Sequence, residues 1–144
     1  MPSAWAEQPA LISMSVAHNK LSGALPERWK TYPALRQLFL NNNLLTEIRG
    51  FPGNLVDLDA SRNRLLEPIN LPDVYSVPLL RSVILAHNPL NRLEDLIRPL
   101  SDRRIASELC KPRCAPLENL DLSNSDVSGT VPSILLILQG SVSL

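Results

Sequence analysis

The chain is written in copies of one frame, and this constrains its fold more than any other feature. Leu11-x-x-Met14-x-Val16-x-x-Asn19-x-Leu21 aligns with Leu35-x-x-Leu38-x-Leu40-x-x-Asn43-x-Leu45 and with Leu55-x-x-Leu58-x-Ala60-x-x-Asn63-x-Leu65. Leu80-x-x-Val83-x-Leu85-x-x-Asn88-x-Leu90 is the fourth copy and Leu117-x-x-Leu120-x-Leu122-x-x-Ser125-x-Val127 the fifth. Apolar residues fill all twenty apolar slots of a chain that is 44% hydrophobic. For a fixed frame that outcome has a chance probability on the order of 10⁻⁷. The copies start near residues 11, 35, 55, 80 and 117, at intervals of 24, 20, 25 and 37 residues. Repetition at this period predicts a fold built by stacking similar units against their neighbours.

Within each copy the second and third apolar slots alternate with polar residues at period two, which predicts a short strand with one buried face. One copy cannot bury that face alone. Copies laid side by side give a parallel sheet, an apolar core behind it, and turns or short helices on the far side. The Asn slot follows from the same geometry. Where the chain leaves a strand and bends inward, its backbone N–H and C=O groups lose their partners, and an amide side chain offers both donors and acceptors to replace them. Asn19, Asn43, Asn63 and Asn88 are therefore predicted to form a structural ladder. Ser125 interrupts it with a shorter side chain, so the C-terminal end is expected to be looser.

These copies resemble the leucine-rich-repeat family over about residues 11–132. The resemblance implies an α/β fold, a right-handed solenoid of about five repeats with short parallel strands on a concave face and helices or turns on the convex one. Leu21-Ser22-Gly23-Ala24-Leu25-Pro26 and Val127-Ser128-Gly129-Thr130-Val131-Pro132 are similar to the L-x-G-x-[ILV]-P segment of plant-type repeats. Leu25-Pro26-Glu27-Arg28-Trp29 is also similar to repeats in surface antigens and proteophosphoglycans of trypanosomatid parasites. Both groups are mostly extracellular or on the cell surface. The 20-residue interval and Phe51-Pro52-Gly53-Asn54-Leu55 resemble the short bacterial-effector type instead. Some of those effectors carry a ligase with a C-x-D nucleophile motif, which neither Cys110-Lys111-Pro112 nor Cys114-Ala115-Pro116 supplies.

Residues 1–144 are read as a single domain with a helical insertion at 91–116 and an apolar tail at 133–144. In the insertion, Leu93, Leu96, Ile97 and Leu100 fall at i, i+3, i+4 and i+7, one face of a helix that Pro99 should kink or end. That helix either covers the core or protrudes toward a partner. Cys110 and Cys114, at the end of the insertion, are either reduced packing residues or a disulfide across a short loop, whose closure removes little chain entropy. Zinc would need two further ligands. The run Ile134-Leu135-Leu136-Ile137-Leu138 begins a sixth repeat, lies across the last repeat as a cap, or leaves the ends uncapped and prone to self-association.

Charge excludes some functions. Lys and Arg number 14 and Asp and Glu also 14, so no concentrated cationic face is written for nucleic acid or an anionic membrane surface. The longest apolar run is five residues, far short of the roughly 20 that span a bilayer as a helix, so no transmembrane segment is predicted. Residues 1–7 have neither the basic start nor the apolar core of a secretory signal, so an exported natural protein would be longer than this chain. The local signatures of nucleotide, phosphate, zinc and serine-nucleophile sites are missing, and no catalytic residue, metal or cofactor is predicted. His18 and His87 fall three strands apart, about 14 Å, too far to share a metal.

Binding then falls to strand residues turned away from the core, which line up in rows across the sheet. One row reads Ser13, Gln37, Asp57, Ser82, Asn119, and the next Ser15, Phe39, Asp59, Ile84, Asp121. Phe39 and Ile84 are the large apolar residues that the pattern places in water, two strands apart with Asp59 between them. Phe39, Ile84, Asp57, Asp59, Asn41, Arg62, Gln37 and Asp121 are the predicted contact residues for a protein or peptide ligand with a basic and an apolar element. The leading expectation is a non-enzymatic recognition module. An intracellular scaffold or regulatory subunit, and the repeat region of a larger receptor kinase or ligase, are the competing expectations.

Overall fold

A computed structural model describes residues 10–25, 31–66, 79–90, 117–126 and 141–143. Within them are eight strands: β1 (Ser13–Ser15), β2 (Ser22–Leu25), β3 (Gln37–Phe39), β4 (Leu44–Ile48), β5 (Asp57–Asp59), β6 (Ser82–Ile84), β7 (Asn119–Asp121) and β8 (Ser141–Ser143). Almost no helix occurs among the described residues, and none there is long and apolar enough to cross a membrane. Parallel strands joined by crossing connections are compatible with an α/β fold. The insertion at 91–116, with Cys110 and Cys114, and most of the tail at 133–144 lie outside the described residues.

Six strands form one sheet in the order β1-β3-β5-β6-β7-β8, and every adjacent pair is parallel. The register follows the sequence frame: Met14 stands opposite Leu38, Leu38 opposite Leu58, Leu58 opposite Val83, and Val83 opposite Leu120. A one-residue slip would turn every one of these side chains to the other face. Leu38, Leu58, Val83 and Leu120 are 1% exposed or less, and full burial of such a side chain contributes about 1.5–3 kcal/mol. The strands are three residues long, but their ladders run on at both ends. Val16, Leu40, Ala60 and Leu85 donate their N–H groups to the carbonyls of Phe39, Asp59, Ile84 and Asp121 across the sheet, at 2.7 to 2.9 Å.

The connections after β1 and β3 hold a finding the repeat frame did not contain. Where turns or short helices were expected, β2 and β4 form a second, two-stranded parallel sheet. Its pairing shifts between Gly23 and Ala24, so that Thr46 of β4 has no opposite number. Gly23 sits at the shift with φ of +77°, a left-handed conformation that a side chain disfavours. Leu25, Leu45 and Ile48 from this sheet join Leu38, Leu58, Val83 and Leu120 from the large one in a single buried cluster. At the C-terminal edge, β8 adds a sixth strand in register, Asn119 opposite Ser141 and Asp121 opposite Ser143.

Each turn after a strand of the large sheet has the same backbone. His18, Asn42, Arg62, His87 and Asn124 all have φ between 53° and 57°. For a residue with a side chain this left-handed conformation costs roughly 1–2 kcal/mol, and it swings the following residue in toward the core. That following residue is the ladder Asn in the first four turns and Ser125 in the fifth.

Candidate binding face

The face begins with the turns that fix it. The Asn43 side-chain amide donates to Leu40 O and Val16 O, both at 2.9 Å, while its Oδ1 accepts the Leu21 N–H at 3.0 Å. Asn63 repeats this with Ala60 O and Leu40 O at 3.1 Å and the Leu45 N–H at 3.0 Å. Asn88 does so with Leu85 O at 2.8 Å, Ala60 O at 3.0 Å and the Leu65 N–H at 3.1 Å. Each amide thus satisfies its own turn and ties it to the preceding one. Asn19 differs from its predicted role. It is exposed and donates only within its own turn, to Val16 O and Ala17 O, because β1 is an edge strand with no described strand beyond it to bond to.

Above these turns the outward side chains stand in two rows. The pairs Gln37–Asp57, Asp57–Ser82 and Ser82–Asn119 make the first, and Ser15–Phe39, Phe39–Asp59, Asp59–Ile84 and Ile84–Asp121 the second. Polar groups of the first row bond along the row. Gln37 Nε2 donates to Asp57 Oδ2 at 3.1 Å, and Asn119 Nδ2 donates to Ser82 Oγ at 3.2 Å. The carboxylates of the second row instead bond down their own strands. Asp59 Oδ1 accepts from Ser61 N–H at 2.9 Å and Ser61 Oγ–H at 2.7 Å, and Asp121 Oδ1 accepts from Ser123 N–H at 3.0 Å. Their Oδ2 atoms make no hydrogen bond among the described residues and remain as acceptors.

Phe39 and Ile84 are not in open water as the alternation implied. Both are half-buried, as are Asp59 and Asp121, because side chains on strands about 4.8 Å apart shield one another's flanks. The most exposed large apolar side chains among the described residues are Ile12 at 59% and Leu66 at 52%. The strand rows do not include either, yet the sequence carries a signal for both. Ile12 occupies the slot that holds Arg36, Arg81 and Glu118 in other copies, and Leu66 the slot of Ser22 and Thr46.

Asn41 and Arg62 lie in the turns, not in either strand row. Asn41 is half-buried, and its carbonyl accepts the His18 N–H at 3.0 Å. Arg62 is exposed, with Nη2 3.4 Å from His87 Nε2. A guanidinium can only donate, so this contact needs an imidazole with Nε2 unprotonated. Among the described residues no three His, Cys, Asp or Glu side chains converge as metal ligands. Among the described residues the one carboxyl with a clear perturbation is Glu47, on β4 and not on the large sheet. Its hydrogen bond from Arg49 Nε at 2.8 Å holds it below the usual carboxylate range.

Taken together, the second row offers two apolar side chains and two carboxylates with free oxygen acceptors in alternation across four adjacent strands. The chain matches no protein-family model and none of the curated proteins.

Proposed function

We propose that the chain is a leucine-rich-repeat solenoid that works as a non-enzymatic recognition module, binding a protein or peptide through the outward face of its six-stranded sheet. The observation that carries this reading is the register: it aligns Phe39, Asp59, Ile84 and Asp121 in one row on four neighbouring strands. Half-buried aromatic and branched side chains flanked by polar groups are what interface anchors consist of. The repeat frame and the buried amide ladder support the solenoid, because both require each copy to sit against the one before it. Gln37, Asp57, Asn41 and Arg62 border the row and serve as its polar rim.

The test is a quantitative capture experiment from cell extracts and surface fractions, using the wild-type chain and a Phe39→Ala, Ile84→Ser variant. Both chains are first shown by circular dichroism to be folded. The proposal expects a specific partner to be lost from the variant, at a cost of about 1–2 kcal/mol for Phe39 truncation alone. Equal retention of that partner by the two chains would remove binding from this face.

A further inference from the structure

The spacing of the Phe39 row restricts the shape of its occupant. Phe39, Asp59, Ile84 and Asp121 face outward at the same level of β3, β5, β6 and β7, so consecutive side chains stand one strand spacing apart. That spacing is about 4.8 Å, and three steps cover about 14 Å. A segment lying along the row must present its contacts at the same interval. An extended strand presents same-face side chains about 6.7 Å apart, so three steps cover about 20 Å and leave the row by more than one strand. An α-helix rises 1.5 Å per residue, so side chains at i, i+3, i+7 and i+10 cover about 15 Å and stay within one stripe of its surface.

Charge fixes what that stripe must carry. Asp57, Asp59 and Asp121 are the only charged side chains in the two strand rows of the face among the described residues. Asp57 is already bonded by Gln37, whereas Asp59 and Asp121 each keep one oxygen without a hydrogen bond among the described residues. Arg62, the nearby cation, stands in the turn and approaches His87, outside these rows. An acidic group between two apolar ones is complementary to a cation between two apolar ones, and like charges set opposite each other would be rejected.

We propose, resting on the recognition reading above, that the occupant is a basic amphipathic helix lying across the strands. Its apolar residues at i and i+7 meet Phe39 and Ile84, and its Lys or Arg residues at i+3 and i+10 meet Asp59 and Asp121.

Three synthetic peptides of equal composition test this against the full chain by calorimetric titration. The first places Leu at i and i+7 and Lys at i+3 and i+10. The second moves the same Lys residues to the opposite helix face. The third alternates Leu and Lys at strand period. Each is titrated into the wild-type chain and into an Asp59→Asn, Asp121→Asn variant, in which the amide oxygens retain the bonds accepted from Ser61 and Ser123. The first peptide should bind at least about tenfold tighter than the other two. The variant should lose about tenfold of that affinity, and added salt should weaken binding to the wild type more than to the variant. Equal or tighter binding of the strand-period peptide, an unchanged affinity in the variant, or no binding of the first peptide would each overturn the helix proposal. The capture experiment with Phe39→Ala, Ile84→Ser separates that failure from a failure of the recognition reading: a partner still lost there leaves the face as the binding site, and a partner retained removes both.

Discussion

The turns at Asn43, Asn63 and Asn88 and the turns at Asn19 and Ser125 enter with the same backbone twist, yet they are held in different ways. All five are preceded by a residue with φ near 55°. At the three interior positions the amide is buried, 2% to 7% exposed, and bridges two consecutive turns. Asn19 at one edge is exposed and, among the described residues, bonds only to its own turn. At the other end Ser125 Oγ is buried with no hydrogen-bond partner among the described residues. An identical turn is therefore worth little by itself. Its stability comes from the neighbour whose backbone the side chain completes, which makes the array a chain of nearest-neighbour interfaces.

That contrast can be broken at its strongest point. Asn63→Ala would leave the Leu45 N–H without its acceptor and take one amide donor from each of the Leu40 and Ala60 carbonyls, which Asn43 and Asn88 still serve. At about 1–3 kcal/mol for a buried group left unpaired, a loss of about 2 kcal/mol is expected. A lowered midpoint in urea denaturation at unchanged slope would register it. The contrast can also be reduced by repair. Ser125→Asn supplies the missing amide, which by the spacing of the interior turns would reach the carbonyls of Leu122 and Leu85, and should raise stability by about 1 kcal/mol in the same titration. The smallest effect is expected at the exposed edge. Asn19→Ala leaves the Val16 carbonyl still accepting from Asn43 and removes a donor from Ala17 O only at an exposed contact, so its cost should stay below about 0.5 kcal/mol; a loss equal to that of Asn63→Ala would show that the first turn is locked from outside.

Much of this arrangement is legible in the sequence because burial has a fixed period. Leu38, Leu58, Val83 and Leu120 announce both the strands and their register, since any slip would put leucine in water. The rows of the outward face follow from that register without further information. Other features leave no such mark. Arg62 adopts a left-handed conformation for which its residue type is no signal, and the Asn and His residues at the four equivalent positions are only enriched in it. The β2–β4 sheet depends on backbone pairing in segments of small and mixed residues, Ser22-Gly23-Ala24 among them, where no periodic burial is written. Strand β8 is hidden for a local reason: by its register Gln139 falls in the slot that holds Leu in all five copies. Half-burial of Phe39 and Ile84 could not be read from alternation, which assigns a side chain to a face but says nothing of how closely its row neighbours screen it.

The interior ladder and the outward face proposed to bind are parts of one construction. Asn43, Asn63 and Asn88 fix the turns directly after β3, β5 and β6, and those strands carry Phe39, Asp59 and Ile84. A face held on such supports is preorganised, which lowers the ordering cost of association.

Amide chemical-shift mapping tests the central claim most directly. The ¹⁵N-labelled chain would be titrated with a binding peptide selected from a displayed random library without bias toward any face. Shifts concentrated on Phe39, Asp59, Ile84, Asp121 and their row neighbours, with β2 and β4 unmoved, are the predicted result. Shifts confined to β2 and β4, with the Phe39 row unmoved, would contradict it.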